Sequence, residues 1–346
     1  MSTKEGNGML PLTNPIDDGD AKTLIQNPNA PTDELETLFL TADDDIKEGV
    51  LVHPAAPQHL LVQHADSDNA KFRGSVAKNP SAPIAILQSL SEDPESEVRH
   101  AVSKNANTPS YILETMSGDV DINIRYMVAC HHNTPPHVLT AMSAVLNVRV
   151  RAEIALNANT PAATLDELAE DIEYQVRAAV AENPQVSERL LIELAEDNEE
   201  FVRRSVAKNP NTPKYILVLL ANEFFDCVRF NAVLNPSLPP LSLLTLAMLD
   251  EDDMMTTAQD MISKKTLTYW EAAVADGSLS ETTMLGEGEN QRPLGDSLLE
   301  AGLTDLYQQL QSLFLNKKLL ELTTNPPALT ELQQSTPAPV SKRMAL

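Results

Sequence analysis

Arginine recurs every 26 residues along this chain, at Arg73, Arg99, Arg125, Arg151, Arg177, Arg203 and Arg229. The same step carries leucine without a break through Leu35, Leu61, Leu87, Leu113, Leu139, Leu165, Leu191, Leu217 and Leu243. A fixed period of this length is the mark of a stacked array, in which each unit buries its apolar face only against its neighbours. That constraint outranks any single motif. It also frees a 346-residue chain from the size limit of one compact core.

Each unit reads as two short helices. Val98, Ala101 and Val102 have the i, i+3, i+4 spacing of one helical face. Asn105 interrupts, and Thr108-Pro109 is expected to restart the chain, threonine as N-cap and proline at the first helical position. Ile112, Leu113 and Met116 supply the second apolar stripe, and Gly118-Asp119 closes the unit. Ser187 stands where other units have proline, a change the fold is expected to tolerate. Asn79, Asn105, Asn157, Asn183, Asn209 and Asn235 form a further column, and His53 and His131 fall within it. Asparagine tolerates the left-handed region and satisfies backbone groups at helix ends, so these positions read as structural.

The recurring pattern, seen in Val202–Leu220 and Val176–Asp197, closely resembles the leucine-rich repeat variant family across about two-thirds of the chain. The resemblance implies an all-α, right-handed solenoid in which an α-helix alternates with a 3₁₀ helix, an armadillo-like or HEAT-like superhelix. Some members of that family carry a cysteine-rich iron–sulfur segment ahead of the repeats. No cysteine precedes Cys130 here, so that cofactor is not carried over, and the expected cofactor set is none. The resemblance brings no known activity with it.

The register divides the chain. Residues 1–19 are polar and read as a flexible lead-in, and residues 20–250 hold nine units of 26. The first two units carry Ala21 and Lys47 in the arginine column, as terminal units often depart from the pattern. Glu251-Asp252-Asp253 is a natural stop. Residues 251–323 read as a helical extension, in which Met254, Met255, Met261, Ile262 and Trp270 cover the last core face. Residues 276–292 read as a glycine-containing loop, followed by an amphipathic helix or helix pair with Leu306, Leu310, Leu313 and Leu320 on one stripe. Residues 324–346 read as a disordered tail.

A formal charge of −25 disfavours nucleic acid and acidic membranes, because phosphate binding needs surplus lysine and arginine. The N-terminus shows no apolar secretory core, no run is long enough to span a membrane, and two cysteines make no disulfide framework. These features point to a cytoplasmic protein, with a monomer favoured. No nucleophile elbow, zinc-protease helix or phosphate-binding glycine loop occurs, so no catalytic or metal-binding residues are assigned. Cys130, His131, His132 and His137 have metal-ligand chemistry, but neighbouring helical residues diverge.

The arginine column admits two readings. As a surface row it would grip an acidic peptide or a nucleic-acid backbone. As a structural ladder it would pair with Asp93, Asp119, Asp171 and Asp197, each six residues before Arg99, Arg125, Arg177 and Arg203. Such pairs would tie neighbouring layers together by two-point hydrogen bonds, as in HEAT-type repeats. Recognition is expected instead at positions that vary between units: Tyr111, Tyr126, Arg204, Tyr215 and Phe230, residue types that anchor interfaces. The expectation is therefore a non-enzymatic bacterial scaffold that binds a protein or peptide along its solenoid. Nucleic-acid binding by the arginine column is the alternative, and a metal- or redox-linked accessory role a second one.

Overall fold

The computed structural model describes residues 18–248, 253–286 and 291–324. The expected lead-in before Asp18, the acidic stop Glu251-Asp252, Gly288 and the tail beyond Thr324 lie outside the described residues. The chain forms two compact units, Met1–Asn209 and Pro210–Leu346.

In the first unit the odd-numbered helices are α1 (Asp18–Gln26), α3 (Asp44–Val52), α5 (Ala70–Lys78), α7 (Ser96–Lys104), α9 (Ile122–Cys130), α11 (Val148–Leu156), α13 (Tyr174–Glu182) and α15 (Glu200–Lys208). The even-numbered ones are α2 (Thr32–Thr41), α4 (Gln58–His64), α6 (Ile84–Leu90), α8 (Ser110–Met116), α10 (Pro136–Met142), α12 (Ala162–Leu168) and α14 (Glu188–Leu194). Every odd helix starts 26 residues after the one before, so the sequence period is the structural period. Odd helices pack on odd helices from layer to layer, and each even helix braces the odd helix that follows it. This is a helical repeat solenoid, all-α among the described residues but for one two-residue strand pair.

The columns explain the stacking. All nine column leucines are at most 1% exposed, each burial contributing about 1.5–3 kcal/mol. On the odd helices Val98, Ile124, Val150, Val176 and Val202 are fully buried, as are Ala77, Ala129, Ala155, Ala181 and Ala207. The alanines let odd helices of successive layers approach closely. Mutual burial of one shared face is what a single unit lacks.

Two local expectations need correction. Both helices of each pair are α-helical among the described residues, where the resemblance implies an alternating 3₁₀ helix. Seven residues suffice to close four-residue bonds such as Leu87 N to Pro83 O (3.1 Å) and Ser91 N to Leu87 O (2.9 Å). Three-residue bonds are kept to edges and turns, as from Asn79 N to Val76 O (3.1 Å). Thr108 is not the N-cap of α8. Pro109 holds that place in extended backbone, and the Thr108 hydroxyl donates backwards to the Val102 carbonyl (2.7 Å), closing α7. At Ser187 the side chain accepts from Leu190 N (3.2 Å), a true cap where proline offers none.

The second unit continues with α16 (Lys214–Ala221), α17 (Asp226–Leu234) and α18 (Pro240–Leu246). Then α19 (Asp253–Lys264) packs on α17 and α18, with Ala258 and Ile262 buried. α20 (Leu267–Ala275) buries Trp270, and the Tyr269 hydroxyl reaches the Leu238 carbonyl (3.2 Å). The segment read as a loop contains β1 (Met284–Leu285), antiparallel to β2 (Arg292–Pro293). α21 (Leu294–Glu300) is followed at Gly302 by a φ of +72°, which favours glycine, and then by α22 (Thr304–Thr324). Leu306, Leu310 and Phe314 are its buried stripe. Leu320, placed on that stripe by spacing, is exposed.

Candidate binding surface

The arginine and aspartate columns meet, by a route that differs from the six-residue spacing. Arg73, Arg99, Arg151 and Arg177 each grip the aspartate 20 residues ahead, at the end of their own helix pair. In Arg99 the bonds run from Nε to Asp119 Oδ2 (2.7 Å) and from Nη2 to Oδ1 (3.1 Å). The third nitrogen reaches back: Arg99 Nη1 donates to the Asp93 carbonyl (2.7 Å) of the preceding pair. An aspartate thus serves one arginine with its carboxylate and the next with its backbone. Burial by itself pushes the Asp93, Asp119, Asp171 and Asp197 carboxyls up. The guanidinium bonds, an amide two residues on and nearby positive charge outweigh it, holding all four below the usual carboxylate range.

Arg125 departs from the pattern. Residue 145 is valine, and Arg125 donates only to the carbonyls of Asp119 and Val120. Arg203 donates to the Asp197 carbonyl (2.6 Å), and Arg229 pairs with Asp226 on its own helix. With their donors committed to protein oxygens, Arg73, Arg99, Arg151 and Arg177 do not offer a row of free cations to a phosphate backbone.

The asparagine column forms a second ladder, and extended backbone, not the left-handed region, is what it uses. Asn183, with φ −65° and ψ 132°, donates to the carbonyls of Ala155 (2.6 Å) and Asn157 (2.9 Å) in the layer before. Its oxygen accepts from Gln185 N (2.7 Å). His131 replaces asparagine with the same logic, Nε2 to the Asn105 carbonyl (2.9 Å) and Nδ1 accepting from Asn133 N (3.0 Å). That pairing requires the neutral ring protonated on Nε2. Burial holds the His131 pKa below its ordinary value, against the raising effect of the Asn105 carbonyl.

The side chains with metal-ligand chemistry do not converge on a common point. His131 serves its ladder and stacks on His132 (4.7 Å), while His137 pairs with Glu114 (3.1 Å). Cys130 is exposed as a residue, yet local desolvation of its sulfur and the Glu153 carboxylate push the thiol up to about 12. Among the described residues no group of three or more His, Cys, Asp or Glu side chains is arranged to hold a metal. No described helix is long and apolar enough to cross a membrane.

The variable positions fall on two helix sets. Tyr126 and Arg204 lie on α9 and α15, and Tyr111 lies on α8. Tyr215 and Phe230 belong to the second unit, on α16 and α17. Tyr111, Tyr215 and Phe230 are exposed. Tyr126 is half-buried: its hydroxyl donates to Glu153 (2.7 Å), and Arg149 lies over its ring at 4.8 Å. Arg204 lies over Phe201 at 5.2 Å, and Phe201 stacks on Tyr174 at 5.5 Å. Phe201 and Tyr174 are thus part of the surface that residue-type reasoning missed, since neither occupies the two columns it compared.

A larger omission is an apolar edge. Val120, Leu146 and Ile172 are 90%, 100% and 89% exposed, and they occupy one repeat position in three successive layers. Other layers of the first unit hold Ala42, Asp68, Pro94 and Asn198 there. Their own carbonyls accept from Arg125, Arg151 and Arg177, so the aliphatic row runs directly beside the arginine ladder. The signal was available: large aliphatic residues where equivalent positions of the first unit are alanine, polar or proline.

No family model matches the chain, and no curated protein matches it. Among solved structures, an engineered protein is 13% identical over 86% of this chain and 94% of its own, with a TM-score of 0.32. The chain is also similar to a solved leucine-rich repeat variant, described as having a novel repetitive protein structural motif, at 25% identity over 66% of this chain and 85% of that one, with a TM-score of 0.44.

Proposed function

We propose that the protein is a non-enzymatic repeat scaffold that holds a segment of another protein along one edge of its helix stack. The observation that carries this reading is the row Val120, Leu146 and Ile172, almost wholly in water although a folded chain gains about 1.5–3 kcal/mol by burying each such side chain. Aliphatic residues repeated at one exposed position make a continuous strip, and such strips are what partners cover. The stacked Tyr174–Phe201 pair with Arg204, and Tyr111, add aromatic and cationic anchors elsewhere on the first unit. A net charge of −25 and the committed arginines make nucleic acid a poorer fit. Residues 20–250 are taken as the scaffold and residues 251–323 as its extension.

The test places a photo-crosslinking residue at Leu146 and, as control, at the exposed Asp33 of α2. A partner captured at Leu146 but not at Asp33, whose affinity falls when Val120, Leu146 and Ile172 are all changed to serine, supports the reading. Equal capture at both positions, or unchanged affinity in the serine variant, contradicts it.

A further inference from the structure

We infer that Arg125 is a carboxylate-binding site, and that the segment held along the apolar edge presents an aspartate or glutamate to it between aliphatic residues. This rests on the edge-binding reading above.

The protein itself shows what belongs in the Arg125 fork. In the first unit an arginine and the residue 20 ahead vary together: Arg73 with Asp93, Arg99 with Asp119, Arg151 with Asp171 and Arg177 with Asp197. Where Lys47 replaces arginine, residue 67 is serine and the acid is gone too. Arg125 keeps the arginine and has Val145 in place of the acid. It is anchored like the others, through Nη1 to the carbonyls five and six residues back. Among the described residues no carboxylate comes within ion-pairing distance of it. In the four complete copies Nε and Nη2 hold the two carboxylate oxygens at 2.6–2.7 Å and 2.9–3.1 Å. Among the described residues these two donors of Arg125 make no hydrogen bond, and the residue as a whole is half-exposed. A planar fork with two parallel donors matches a carboxylate better than any other common protein group.

The surroundings define the rest of the ligand. Val120 and Leu146 flank this fork, one supplying a carbonyl to Arg125 and the other next in chain to Val145. Ile172 extends the strip by one layer. A segment with an acid flanked by Leu, Val or Ile would complete the missing rung and cover the exposed aliphatic row together.

The experiment uses the full chain and two labelled, end-capped peptides, Gly-Leu-Val-Asp-Leu-Val-Gly and its Asn counterpart, read by fluorescence anisotropy. The Asp peptide is expected to bind about tenfold tighter than the Asn peptide. Val145→Asp supplies an internal carboxylate, so it should erase that preference while circular dichroism stays unchanged. Arg125→Gln removes the fork and should erase it as well, which decides the matter if Val145→Asp does not fold. Equal binding of the two peptides to the unaltered protein, a preference that survives either variant, or no binding of either peptide overturns the carboxylate site. Binding without preference that is lost when Val120, Leu146 and Ile172 become serine leaves the edge-binding reading standing. Binding indifferent to those serines contradicts that reading alone.

Discussion

Arg151 holds both oxygens of Asp171, Nε to Oδ2 at 2.6 Å and Nη2 to Oδ1 at 2.9 Å, while its Nη1 donates to the Val145 carbonyl at 2.9 Å. One side chain closes its own helix pair and fastens it to the pair before. Both partners are largely screened from water, with side-chain exposures of 13% and 9%. Arg151→Ala should therefore cost about 2–4 kcal/mol, since it strands a carboxylate and frees a carbonyl. Arg151→Lys should recover little, because an ammonium cannot span the three oxygens. Urea unfolding followed by circular dichroism measures this; a cost near zero would mean the ladder contributes nothing to stability.

The same carboxylates set the acid limit. Asp93, Asp119, Asp171 and Asp197 are held below the usual range in the folded chain. Their contribution is present above the unfolded carboxylate value of about 3.9 and is lost as pH falls through the lower folded values. Asp171→Asn should flatten the stability–pH curve in that acid window. An unchanged acid limb would contradict the assignment.

His131 titrates in a higher window. Its folded pKa is lowered by burial, so its contribution is complete above the unfolded value of about 6.5 and declines as pH falls below it. Protonation also removes the acceptor that Asn133 N requires. Asparagine holds this position in most other layers, so His131→Asn should keep stability at neutral pH within about 1 kcal/mol. It should also remove the slope between neutrality and pH 5. Melting temperatures across that range provide the check.

Cys130 illustrates chemistry silenced by its neighbours. Although the residue is exposed, local desolvation of the sulfur and Glu153 push its thiol up to about 12, so little thiolate forms at neutral pH. Iodoacetamide should label Cys130 at least about tenfold more slowly in the folded protein than in denaturant, and Glu153→Gln should speed it. Labelling as fast in the folded state would refute this.

The stack was legible because every layer repeats its demands. Leu113, Val102 and Asn105 recur with their equivalents at one spacing, and packing needs the same residue each time. Subtler geometry was not legible. Spacing alone put Asp93 with Arg99, six residues on, whereas the chain path brings it to Arg73, 20 residues back. Thr108 carries the residue type of an N-cap, yet its hydroxyl finds the nearer carbonyl of Val102. Comparing variable columns picked Tyr111 and Phe230, which are exposed, but passed over Val120, Leu146 and Ile172, because exposure is a property of the stacked layers and not of one unit.

The central claim is a division of labour: repeated residues build the stack and the irregular edge binds. The direct measurement is calorimetric affinity for the partner crosslinked at Leu146, alongside melting temperature, in Arg151→Ala and in the Val120, Leu146, Ile172 triple serine variant. The account predicts that Arg151→Ala lowers the melting temperature with affinity nearly unchanged, and that the serine variant loses affinity at an unchanged melting temperature. Affinity lost in Arg151→Ala at unchanged stability, or retained in the serine variant, would contradict it.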